Sequence, residues 1–330
     1  MFGTIRLKEL LIYAFGVSLF FSFIILANIK WLDIGIHVGI YFIVATGLTI
    51  LLGMAGQISI GHAAFFGIGA YSSGLLTSTW DLNFWIAGPL SVIFAGIGGY
   101  LVGLTSIRLR HDSLAMATIA FQVIFSVLVY EWVEVTGGPA GFGNIPVPSI
   151  GTFKIDTEAK YFLFVSIIAL GVFLFSRNLI SRRIGRVLIS IRENEVVSSS
   201  IGINVPKYKL KVFTLSAMYA GVGGVLFAHY ARFISPTSFT IHFSFAFLVM
   251  VLVGGRRHIL GAFFGSIFVT ILPEFLRLVS SFSLFPVSLR EIFTNYTYHL
   301  IIYGLLVYFS LVLLPKGIYG LGVSVFQKRL

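Results

Sequence analysis

Residues 161–195 read YFLFVSIIALGVFLFSRNLISRRIGRVLISIRENE. The stretch opens on an uncharged run and closes on a cluster of bases. From Tyr161 to Ile180 it has the roughly 20-residue length with which a helix crosses the hydrocarbon core of a bilayer. In lipid each backbone polar group must find its partner within the segment, so a run of this kind is read as a membrane helix. Arg177 near its end and the arginines that follow cannot stay in hydrocarbon, and they mark the point where the chain leaves it.

Outward from this segment the pattern repeats. Ten stretches have the apolar character of spans: 10–28, 34–53, 61–79, 84–107, 113–131, 161–180, 212–234, 241–254, 259–278 and 299–314. The first follows Arg6 and Lys8, as a signal peptide would. It exceeds an h-region of about 7–15 residues and has no small-residue cleavage site after it, so it reads as a span. Composition agrees. Of 330 residues 57% are hydrophobic and 11% charged, against about 25% charged in soluble domains. The expected fold is therefore all-α, a polytopic transmembrane helical bundle of about ten spans, with residues 1–330 forming a single transmembrane domain.

Charge orients the bundle. The formal net charge is +11, from 23 Lys+Arg and 12 Asp+Glu. Ten spans put both termini on one side. That side collects Arg6, Lys8, Arg108, Arg110, the eight bases of the 177–211 loop, Arg256, Arg257, Lys316, Lys328 and Arg329. The other side receives Lys30, Lys154, Lys160, Arg232, Arg277 and Arg290. Lysine and arginine accumulate in cytoplasmic loops, so both termini are expected in the cytoplasm. All four tryptophans, Trp31, Trp80, Trp85 and Trp132, fall at the opposite span ends, where indole favours the headgroup interface. Bases dispersed between spans do not make a nucleic-acid face, so no nucleic-acid partner is expected, while membrane lipid is.

The loop 177–211 carries the first candidate site. Ser190-Ile191-Arg192-Glu193 has capping-box spacing, and Gly202 and Pro206 supply stop signals. The spacing predicts a short helix over 191–201 that shows Arg192, Glu193, Asn194 and Glu195 and keeps Val196, Val197 and Ile201 for packing. Two readings stand: a rigid segment for docking a soluble partner, or a surface helix on anionic lipid.

The second candidate is the glycine-dense stretch Gly53 to Tyr71. Glycines there permit unwound or re-entrant backbone beside a polar cavity, in which Gln57, Ser59 and His62 offer hydrogen bonds to a polar solute. Small-residue helix packing is the competing reading. The pairs Gly35/Gly39, Gly99/Gly103 and Gly261/Gly265 read as close helix contacts. The turn-rich outer loop from Thr136 to Pro146 is either a contact for an external partner or a plain connection.

Much chemistry is excluded. The sequence has no cysteine and no G-x-x-x-x-G-K-[ST] loop to cradle nucleotide phosphates. Its seven histidines lack metal-ligand spacing. Ser59 and His62 sit in no nucleophile-elbow pattern. Neither cofactor nor metal is expected, and no inner or outer loop has room for a nucleotide-hydrolysing domain.

The run Gly56-Gln57-Ile58-Ser59-Ile60-Gly61-His62-Ala63-Ala64-Phe65-Phe66-Gly67-Ile68-Gly69-Ala70-Tyr71 resembles the signature of branched-chain amino acid ABC importer permeases. So do Thr136-Gly137-Gly138, Gly185-Arg186 through Ile191-Arg192-Glu193-Asn194-Glu195 to Gly202-Ile203-Asn204-Val205, and Leu215-Ser216-Ala217 with Gly223-Gly224. The match spans about Leu48 to Pro273 and is nearer the M-type than the H-type of the two permease subunits. It departs at Arg256-Arg257-His258 and at Ser198-Ser199-Ser200. The resemblance implies a permease in a bacterial-type inner membrane, paired with a second permease subunit. It further implies two cytoplasmic ATP-binding subunits, which perform the hydrolysis, and an extracytoplasmic solute-binding protein. Arg192, Glu193, Asn194, Glu195 and Gly202 would then belong to the ATPase-coupling helix, with Gln57, Ser59 and His62 on the translocation path. An ion-coupled carrier of a small polar solute, a permease for urea or other amides, and a membrane scaffold or enzyme are the alternatives.

Overall fold

A computed structural model describes residues 28–106 and 111–281, together with a few positions between 304 and 320. Its helices are α1 (Ile29–Leu48), α2 (His62–Ser78), α3 (Phe84–Ser106), α4 (His111–Glu131), α5 (Glu158–Ser181), α6 (Arg183–Glu193), α7 (Glu195–Ser200), α8 (Val205–Ala231), α9 (Ile241–Gly254) and α10 (Ile259–Ser281). The strands β1 (Ser149–Ile150) and β2 (Phe153–Lys154) form a small hairpin between α4 and α5. Among the described residues, five helices are long and apolar enough to cross a membrane: Ile29–Met54, Phe84–Thr105, Ser113–Glu131, Glu158–Ser181 and Val205–Ala231. Helices α2, α9 and the apolar part of α10 are shorter. The expected spans at 10–28 and 299–314 lie outside the described residues, apart from isolated positions in the second.

Helix α8 is the centre of the bundle, packed against α1, α2 and α3. It runs parallel to α2, and the two are joined by a pair of polar cross-links. His62 Nε2 is hydrogen-bonded to Ser216 Oγ at 2.7 Å near one end, and His229 Nε2 to Ser73 Oγ at 2.7 Å near the other. Between them the backbones touch. A Cβ on Gly224 would lie 2.8 Å from Phe66 C and 2.9 Å from Ala70 N. Hydrogen bonds and close small-residue packing are what hold helices together where lipid is as apolar as leucine.

The three small-residue pairs each make the helix contact that their spacing predicts. Gly35 and Gly39 face Phe162 and Val165 of α5, and Gly99 and Gly103 face Ala217 and Leu210 of α8. Gly261 and Gly265 lie on the backbone at the end of α9. Around Phe66 an aromatic cluster fills the space between α1, α2, α8 and α9, with Phe227, Phe239, Phe243 and Phe247 in ring contact with it.

Pairings also sort the two ends of the bundle. At one end Lys30 Nζ pairs with Glu274 at 2.7 Å, and Trp85 Nε1 donates to Ser149 O at 2.8 Å. The four tryptophans are exposed at this end. The loop 136–146 is stitched to the close of α8, since Phe142 N donates to Ile234 O at 2.7 Å and Ile234 N to Phe142 O at 2.9 Å. At the other end, called here the basic end, the turns after α1, α5 and α9 come together.

Candidate functional site

The basic end carries two linked features. The first is a break between α1 and α2. After Leu48 the chain widens its hydrogen bonding into a π-helical turn, Thr49–Met54, and then leaves helical geometry until His62. Such turns recur where a helix is interrupted for function. Gly56 takes φ +71°, a conformation that costs glycine little. The unwound backbone is largely buried and bonded elsewhere: Ile60 N donates to Thr118 Oγ1 at 2.9 Å, and Ala63 N to Ser244 Oγ at 2.9 Å. Irregular backbone at depth is thus tolerated because α4 and α9 supply the partners that the helix no longer does.

The three path candidates fall in this break but do not behave alike. Ser59 Oγ is hydrogen-bonded to His62 Nδ1 at 3.0 Å, and His62 holds Ser216 through its other nitrogen. Both side chains are buried with their hydrogen bonding engaged by the protein, so they fasten the break to α8. Gln57 differs. It is 3% exposed, and neither its side-chain amide oxygen nor its nitrogen has a hydrogen-bond partner among the described residues. An unpaired buried polar group costs about 1–3 kcal/mol, and Gln57 carries two such atoms.

The second feature is the segment 183–204. The expected single helix over 191–201 is instead two helices meeting at Asn194. Asn194 is extended (φ −160°, ψ 111°), and its Oδ1 accepts from Val196 N at 3.0 Å and Val197 N at 3.1 Å. It is therefore the N-cap, a role for which Asn is among the best residues. Ser190, the expected cap, lies inside α6, and its hydroxyl is hydrogen-bonded to Ser198 Oγ at 2.8 Å, holding α6 against α7. Gly202 does end α7, at φ +84°. Pro206 is no stop signal: it stands in the first turn of α8, where its missing N–H is not needed, and Asn204 caps that helix through Lys207 N.

The apolar residues of α7 also depart from expectation. Val196, Val197 and Ile201 are 74%, 56% and 68% exposed, while Ser198 is buried. The Ser190–Ser198 hydrogen bond rotates α7 so that its polar residue faces α6. A patch of branched aliphatic side chains is left outside, bordered by Glu193 and Glu195. Glu195 pairs with Lys209 of α8. Glu193 is exposed, and its hydrogen bond and charge interaction with Arg192 hold its carboxyl below the usual carboxylate value.

The two features are joined by Arg192. Its Nη1 donates to Gly53 O at the close of the π-turn, while Nη2 pairs with Glu193 Oε1. A planar guanidinium serves both at once, which a lysine ammonium on a single stem does less well. No sequence periodicity points to Gly53 as the receiving carbonyl, because the contact spans 139 positions.

An apolar helical body with an interrupted, buried helix pair and an exposed segment tied to the interruption accords with a membrane permease, the class to which the family comparison assigns the chain. The chain belongs to the family of the branched-chain amino acid transport system / permease component, whose family model matches residues 31–311. It is 32% identical over 310 residues to the high-affinity branched-chain amino acid transport system permease protein LivM of Escherichia coli, covering 87% of this chain and 69% of that one. A probable branched-chain amino acid transport permease protein LivM from Methanocaldococcus jannaschii is 28% identical over 265 residues, 69% of this chain and 75% of that one. The E. coli permease protein LivH is 23% identical over 251 residues, covering 69% and 78%. No solved structure matches the chain.

Proposed function

We propose that this chain is the M-type membrane subunit of an ATP-binding-cassette importer, and that it carries branched-chain amino acids across a bacterial-type inner membrane. The observation that carries the reading is the 32% identity to LivM over 87% of the chain. The lower similarity to LivH supports a second, related permease subunit beside it. In this reading the bundle has about ten spans in a single domain with both termini cytoplasmic, so the basic end faces the cytosol. Two cytoplasmic ATP-binding subunits dock there, on the segment containing Arg192, Glu193, Asn194, Glu195 and Gly202. The exposure of Val196, Val197 and Ile201 supports a protein partner over bare solvent, since apolar side chains ringed by charge gain from being covered. An extracytoplasmic solute-binding protein delivers the solute at the tryptophan-bearing end.

The drive follows from linkage. ATP binding favours one access state of the bundle only by as much as the docked subunits differ in affinity for the two states. Gln57, Ser59 and His62 lie at the break that such a change would move. Gln57 offers its free amide to the passing solute, and Ser59 with His62 maintains the shape of the break.

The test is uptake in proteoliposomes holding this chain with its copurified membrane and ATP-binding subunits and binding protein. Uptake of labelled leucine, isoleucine or valine requires ATP inside the cytosolic compartment and persists when ionophores collapse ion gradients. Gradient-driven uptake by this chain alone would establish the carrier reading instead, and competition by urea but not by leucine would move the substrate to the amides.

A further inference from the structure

The contact between Arg192 and Gly53 has a geometry that a merely structural hydrogen bond does not require. At the end of the π-turn, Ala55 N, Gly56 N and Gln57 N donate back to the carbonyls of Ile50, Leu52 and Leu51. The next carbonyl, Gly53 O, is taken from outside the helix, by Arg192 at the close of α6. On its other side Gly53 lies directly on the backbone of the α9–α10 turn: a Cβ there would fall on the carbonyl oxygen of Arg256. The end of α1 is thus gripped between the exposed segment and the turn bearing Arg256. Close-packed backbone does not compress. The adjoining chain from Gly56 to Gly61, in contrast, is unwound, and glycines stand at both of its limits.

We infer that Arg192 is a positioning residue that transmits displacement of the α6–α7 segment to the interrupted end of α1, so that movement at the docking surface is converted into rearrangement of residues 55–61. This rests on the docking reading above and adds the route. Glu193 fixes one edge of the guanidinium and Gly53 O receives the other, so the fork joins the docking surface to the break through one rigid plane. The companion contact, Glu195 with Lys209, ties the same segment to α8. Through α8 it reaches Ser216 and His62 at the far side of the break. The exposed segment therefore grips the break from both flanks.

The experiment uses the complete reconstituted complex with Arg192→Lys and Arg192→Gln. Both variants are expected to insert. Because the guanidinium is turned to Gly53 and Glu193 while the exposed Val196, Val197 and Ile201 are left intact, that apolar patch should keep the ATP-binding subunits copurifying. The solute moved per ATP hydrolysed should fall roughly tenfold, within the usual range of a coupling energy, while the solute concentration for half-maximal uptake stays unchanged. Lysine should not rescue, because charge alone does not span the two acceptors. A second measurement exploits the absence of native cysteine: thiol labelling of an Ile58→Cys reporter should change when ATP is added, and cease to change when Arg192→Lys is combined with it. An unchanged transport-to-hydrolysis ratio, or an ATP-dependent labelling change that survives in the double variant, overturns the inference. If both Arg192 variants lose the ATP-binding subunits, Arg192 is a docking contact rather than a transmitting one. The inference then fails while the docking reading stands. Loss of ATP-subunit copurification on removing the 190–201 surface, or its retention there, tests that reading separately.

Discussion

Replacing Gly224 by alanine should separate the parallel helices α2 and α8. The added methyl would sit on the backbone of Phe66, with Phe66 C at 2.8 Å and Ala70 N at 2.9 Å, where ordinary contact begins near 3.4 Å. The obstructing atoms are main chain, so no rotamer change makes room. Phe66 O is nearer still, so the helices must part locally by more than an ångström to restore normal packing. That movement acts on the two cross-links flanking the contact. His62–Ser216 and Ser73–His229, both 2.7 Å, would open beyond hydrogen-bonding range. Each leaves buried polar groups unpaired at about 1–3 kcal/mol, so the expected loss is about 2–6 kcal/mol. Gly171→Ala provides the control. It lies within α5 with no atom of the described residues close to the added Cβ, and it should be neutral or stabilising by up to about 1 kcal/mol. Thermal unfolding of the detergent-purified protein, followed by monodispersity, reads both. Equal midpoints for the two variants would refute the claim that backbone contact at Gly224 maintains the α2–α8 pair.

Charge reversal of both Glu193 and Glu195 should uncouple ATP hydrolysis from uptake while leaving membrane insertion intact; undiminished transport in that double variant would remove the docking assignment. Asn194→Ala should destabilise α7 by about 0.5–2 kcal/mol, seen as faster amide exchange over residues 195–200, whereas Asn194→Asp should preserve protection because it caps equally well. The Arg192–Glu193 pair should show a defined pH response. Glu193 has its carboxyl lowered by Arg192 in the folded chain. The pair's contribution is therefore fully present above the ordinary carboxylate value of 4.5 and is lost only as pH falls through the lower folded value. Carbon-13 titration of the Glu193 carboxyl should accordingly have its midpoint below 4.5, and Arg192→Gln should move it back up.

Much of the architecture was readable because lipid imposes a strong condition. A chain in hydrocarbon must satisfy its backbone within each span, so length and charge alone located α1, α3, α4, α5 and α8. Small residues at four-residue spacing then identified which faces meet. Gly35/Gly39, Gly99/Gly103 and Gly261/Gly265 contact α5, α8 and α9 respectively. The unwound stretch before His62 was legible from glycine density for a related reason: without a Cβ the backbone has more ways out of the helix.

The site itself was decided by contacts that no local pattern encodes. Ser190 and Asn194 are both competent caps by residue type, and the role fell to Asn194 because Ser190 lies inside α6, where its hydroxyl meets Ser198 across the α6–α7 corner. That same bond turned Val196 and Val197 outward, against the usual preference for burial. The separation of Gln57 from Ser59 and His62 needed Ser216, which lies 154 positions beyond His62. Periodicity reports what each segment requires of its surroundings, since hydrophobic burial and backbone pairing are set residue by residue. Which of several equivalent donors meets which acceptor is settled only when segments far apart in the chain are packed together, and there the Arg192–Gly53 contact arose.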